Sequence, residues 1–78
     1  MYIREILREY ALRHGYLFSE RGKSVELRKG TPECGETLII SGLDSSEAEG
    51  IYSVTHYNNG GWEATYCEIR ESKAVFCQ

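Results

Sequence analysis

The chain is short of nearly everything that would announce a chemistry. One proline and no run of apolar residues near the roughly 18 that a membrane span needs exclude a proline-rich linker and a hydrophobic transmembrane helix. The opening MYIREILREY is broken by charges at helical spacing, so it does not read as a secretory signal. Three cysteines, Cys34, Cys67 and Cys77, are an odd number without a C-x-x-C pair. That count fits a reducing compartment better than a disulfide framework, and cytosol is the expected location.

Ligand spacings are missing too. His14 and His56 have no second His, Cys or carboxylate at metal-ligand distance along the chain. Gly60-Gly61 follows Asn and precedes no helix or Lys-Ser/Thr, so no phosphate loop is implied. Cys34 lies between Glu33 and Glu36, where two carboxylates disfavour the thiolate that nucleophilic catalysis needs. No metal, cofactor or catalytic constellation is expected, which makes a non-enzymatic role the leading expectation.

What is present is enough for one small core. Seventy-eight residues with 41% hydrophobic and 12% aromatic content make a single domain spanning 1–78 and argue against disorder. The net charge of −3 is uneven: residues 1–30 carry seven basic residues and four Glu, while 31–78 carry two basic residues and eight acids. This polarity bears on association, and it falls short of the basic stripe of a duplex-DNA binder.

Ile3, Ile6, Leu7, Tyr10 and Ala11 recur at helical spacing, with Arg4, Glu5, Arg8, Glu9 and Arg13 on the other face. Gly15 after Arg13-His14 is a fitting stop. Extended segments follow at 16–19, 24–28, 37–41, 51–57, 62–70 and 74–78. A turn at Arg21-Gly22 would set Phe18 against Val25, Tyr16 against Leu27 and Leu17 against Glu26. Asp44 three residues before Glu47 has the spacing to open one helical turn in an otherwise solvated acidic connection. The expected fold is α+β, with the amphipathic N-terminal helix on one face of a four- to five-stranded antiparallel, roll-like meander.

The most informative element is Asn58-Asn59-Gly60-Gly61, because Asn-Gly suits the type I′ hairpin turn. A turn at Asn59-Gly60 pairs Tyr57 with Trp62, Thr55 with Ala64, Ser53 with Tyr66 and Ile51 with Glu68. Tyr52, Val54, His56, Glu63, Thr65, Cys67 and Ile69 then share the other face, with His56 opposite Glu63. Cys67 and Cys77 face each other if the turn at Glu71-Ser72-Lys73 holds three residues, and alternate if it holds two.

One helix shields one face, so Tyr57, Trp62 and Tyr66, with Arg70 beyond them, are the expected partner-binding residues. Two plainer readings stand beside this one. In one the aromatics simply stabilise a two-stranded ribbon; in the other their face is the core and the sheet is inverted. A protein partner is expected, as for a small inhibitor or regulator of a larger machine; phage and mobile-element inhibitors of defence systems are one population of such motif-free proteins. Single-stranded nucleic acid stacking on the aromatics is the alternative, opposed by the acidic C-terminal half. Homodimerisation through an edge strand or the open sheet face is a third reading.

Overall fold

Helix α1 (Ile3–His14) leads into six strands: β1 (Leu17–Arg21), β2 (Ser24–Gly30), β3 (Gly35–Ile40), β4 (Gly50–Asn58), β5 (Gly61–Arg70) and β6 (Lys73–Cys77). This is a computed structural model that describes residues 2–31, 34–43 and 49–77, with backbone alone at 77. Asp44 and Glu47, the expected helical turn, lie outside the described residues.

The helix forms where its period says. Ile3, Ile6, Leu7 and Ala11 are buried, and Tyr10 packs half-buried beside them. Gly15 takes a left-handed φ of 76°, which turns the chain so that the Tyr16 N–H reaches the Ala11 carbonyl at 2.8 Å. No side chain caps the other end; Tyr2 supplies only its carbonyl, to the N–H groups of Glu5 and Ile6. A 12-residue helix is marginal alone in water, so its apolar stripe must hold it in place.

The strands form one antiparallel sheet in the order β1-β2-β3-β4-β5-β6, a pure meander. Helix α1 touches β1 and β2 at one edge and β6 at the other, so the sheet curls round it as a half-barrel. The core fills the concave side with Leu7, Val25, Leu27, Ile40, Val54, Cys67 and Ile69 among others. Six strands form, where four to five were expected, because both terminal segments find partners through tight two-residue turns.

The first hairpin is offset from its expected register. Its turn is Gly22-Lys23, pairing Phe18 with Leu27, Glu20 with Val25 and Leu17 with Arg28. Gly22 has φ 54° and sits at the first central position, where a type II′ turn demands positive φ. A turn at Arg21-Gly22 would place an arginine there. The offset is two residues and the side-chain period is two, so Phe18, Val25 and Leu27 still share a face.

The last turn is Glu71-Ser72, the two-residue alternative, and it sets Cys67 against Phe76. Cys67 is fully buried in the core. Both turn residues have positive φ, 51° and 61°, without being glycine. A left-handed residue with a Cβ costs about 1–2 kcal/mol, less for Asn and least for Gly. Glu71→Asn with Ser72→Gly is therefore expected to raise the urea-unfolding free energy by about 1–2 kcal/mol. An unchanged midpoint would mean that this turn stores no strain.

Candidate binding face

The β4–β5 hairpin turns as its sequence demands. Asn59 (φ 50°) and Gly60 (φ 89°) both take positive φ, the type I′ requirement. The register pairs Tyr57 with Trp62, Thr55 with Ala64, Ser53 with Tyr66 and Ile51 with Glu68, residue for residue as expected. Tyr52, Val54, His56, Cys67 and Ile69 are buried toward the helix. On the convex side Tyr57, Trp62 and Tyr66 are 43%, 69% and 47% exposed, so the sheet is not inverted.

The neighbouring registers widen this face beyond the hairpin. One row across the sheet reads Leu17, Arg28, Thr37, Tyr57 and Trp62. A row further along brings Ile51, Glu68 and Val75 together. Leu17, Ile51 and Val75 are all largely exposed. Leu17, Arg28, Thr37 and Tyr57 line an open groove of about 490 Å³. The hairpin signal alone could not reveal Leu17 and Arg28, because their positions depend on the registers of three other strand pairs.

Arg70 shares the convex face but stands at the far end of β5. At about 3.3 Å per residue it is roughly 13 Å from Tyr66 and 26 Å from Trp62 along the strand. Its guanidinium pairs with Glu68 at 3.3 Å. Glu26 serves both Arg28, at 3.3 Å, and Arg21, at 3.8 Å. Exposed pairs of this kind contribute little to stability.

The concave side holds a polar cluster at the mouth of the half-barrel. Buried His56 has Nδ1 3.3 Å from Glu63 Oε1, the cross-strand pair expected from register. Its Nε2 is 3.6 Å from Glu36 Oε2 and has no hydrogen-bond partner among the described residues. The Tyr16 hydroxyl donates to the other oxygen of Glu36. Tyr16 also carries the Lys29 ammonium 5.3 Å above its ring, and Tyr10 packs between Tyr16 and Phe76. A small cavity of about 70 Å³ lies among Tyr10, Tyr16, Glu36, His56 and Phe76. Among the described residues no group of three or more His, Cys, Asp or Glu is placed to hold a metal.

Burial first, and then the charge of Glu36, push the Tyr10 and Tyr16 hydroxyls above the ordinary tyrosine pKa of 10.0. A phenol whose folded pKa is raised stabilises the fold below its unfolded pKa and loses that contribution as pH rises through the folded value. Stability is expected to hold up to about pH 10 and to fall in more alkaline solution. Tyr10→Phe and Tyr16→Phe should each remove amplitude from the late part of a 295 nm titration and flatten the alkaline loss. A Tyr16→Phe titration identical to wild type would contradict the Glu36 contact.

The other chemistry-bearing residues lie apart. His14 stacks on Tyr10 at 4.3 Å on the exposed end of the helix, and Cys34 is an exposed free thiol in the β2–β3 loop. Among the described residues no helix is long and apolar enough to cross a membrane. In comparisons with protein-family models, curated proteins and solved structures, nothing matches the chain. The reading of the site rests on its own residues.

Proposed function

We propose that the chain is a non-enzymatic protein-binding module, acting in the cytosol as an inhibitor or regulator of a larger protein machine. The observation that carries this reading is the exposure of Tyr57, Trp62 and Tyr66 on the one sheet face that the helix leaves uncovered. Large aromatic side chains give much contact area for few rotatable bonds and keep a polar edge that tolerates water. A ribbon stabilised by aromatic pairs would need no apolar company outside the hairpin. Leu17, Ile51 and Val75 extend the apolar surface across the sheet from β1 to β6. Several large exposed apolar side chains gathered on one face of a small domain support an interaction site.

The test compares affinity capture by the wild-type chain and by a Trp62→Ala, Tyr66→Ala variant from the cells that make it. Both side chains are exposed, so the variant is expected to keep its urea midpoint. Partner recovery should drop by about 30-fold or more, the loss of an interface hot spot. Equal recovery of the same partners by both proteins would rule out this face.

A further inference from the structure

We infer that the partner presents an acidic protein surface, with apolar side chains flanked by Asp and Glu, to the convex sheet face. The inference rests on the docking-face reading above and adds the chemistry of what docks there. Its starting point is a mismatch of sign. The chain as a whole carries −3. Along the strands, however, the convex positions hold Arg21, Arg28, Arg70 and Lys73 against Glu26 and Glu68. An acidic protein has thus kept a net positive charge on the same face as its exposed aromatics.

The placement of these cations is specific. Arg21 and Arg28 share the single carboxylate of Glu26 beside the Leu17–Tyr57 groove. At the opposite corner Arg70 is paired directly across the ladder with Lys73. Like charges facing each other across two strands are destabilising. Glu68 reaches Arg70, and Lys73 forms no ion pair among the described residues. An anionic surface seated on the face would supply the missing counter-charge at both corners while the aromatics bury between them. Off this face, Glu36 and Glu63 are engaged around His56 and Glu20 with Arg4.

Cations with aromatics also suit single-stranded nucleic acid, and the aliphatic residues decide between the two. Bases stack on aromatic rings in a cationic groove. Leu17, Ile51 and Val75 offer no stacking surface; Leu17 ends the row of Tyr57 and Trp62, and Ile51 and Val75 share the row beyond Tyr66. Aliphatic and aromatic side chains mixed in one patch, with arginine at its margins, match the core and rim of a protein interface.

A random-peptide display library selected on the immobilised chain tests this. Wild type is compared with Trp62→Ala, Tyr66→Ala and with Arg28→Glu, Arg70→Glu, and each variant is first shown by circular dichroism to fold. Enriched peptides are expected to be net acidic with apolar anchors, to be lost with the aromatic variant, and to bind the charge-reversed variant about tenfold or more weakly. Neutral or basic peptides that still need Trp62 would overturn the acidic partner and leave the docking face standing. Peptides indifferent to Trp62 and Tyr66, or no enrichment over bare matrix, would overturn both. Binding of an oligothymidylate that Trp62→Ala abolishes, with no peptide enriched, would replace the protein partner with nucleic acid.

Discussion

Leu7→Ala is expected to cost about 2–5 kcal/mol, the range for emptying a fully buried leucine site. A domain of 78 residues has only about 4–12 kcal/mol in all. At the middle of both ranges the urea midpoint should therefore fall by roughly two-fifths. The reason is local. Leu7 is 0% exposed and sits mid-helix among Ile3, Ile6 and Ala11. The helix has no side-chain N-cap and little intrinsic stability, so packing, helped by the Arg4 contacts with Gly22 and Glu20, keeps it on the sheet. Once it loosens, the concave face loses its main cover, and Val25, Leu27 and Ile40 lose the helix stripe they pack beneath. Leu12→Ala provides the contrast. Leu12 lies in the same helix but is 76% exposed, and its loss should change stability by less than about 0.5 kcal/mol. Equal effects in urea titrations followed by far-UV circular dichroism would mean that the helix docks through a different stripe.

The second large effect belongs to Gly35→Ala, where a single methyl group is too much. A Cβ at Gly35 would lie 2.2 Å from the Thr31 carbonyl oxygen and 2.5 Å from that of Lys29. Both are backbone atoms, so no side chain can swing aside. Gly35 closes the β2–β3 connection opposite Gly30, and its own carbonyl accepts the Asn59 N–H at 3.2 Å. Relief of the clash must open that loop and disturb the tip of the aromatic hairpin at once. A loss of about 3 kcal/mol or more is expected, at the upper end for overpacking because only backbone can yield. At Gly22 a Cβ meets nothing within 4 Å, and only its φ of 54° resists substitution. Gly22→Ala should cost about 1 kcal/mol. Similar unfolding midpoints for the two variants would show that the β2–β3 loop yields without penalty.

These two positions also show how differently the sequence discloses its structure. Leu7 and its stripe are legible because helical period is a property of a dozen adjacent residues. The convex position of Trp62 is legible because Asn59-Gly60 dictates both the turn type and the pairing. The β1–β2 pairing was offset by two because Arg21-Gly22 and Gly22-Lys23 both offer glycine, and only the second puts it where positive φ is needed. The crowding at Gly35 comes from the Lys29 and Thr31 carbonyls across its own β2–β3 connection, and the sequence marks that stretch only as a loop. The polar cluster is legible only in part. His56 with Glu63 follows from one hairpin, whereas Glu36 and Tyr16 join them only through the β3–β4 register and the exit of the chain from the helix. Arg70 lies on the face that its parity with Trp62 predicts, but its separation from Trp62 is a matter of strand length that face parity does not convey.

The order of the strands has a consequence in time. Each strand hydrogen-bonds to the one next to it in the chain, so every pairing closes a short loop. Proteins dominated by such near-neighbour contacts fold faster than β-rich domains whose strands must find distant partners. The hairpins can zip in any sequence, and none has to wait for another end of the chain to arrive. The long closure is the seating of α1 against β6, which brings Tyr10 to Phe76. That step gains little until both sheet edges exist, so it is expected to come late. Until then the greasy inner surface lies open, and the interval between zipping and seating is when this chain is most exposed to aggregation.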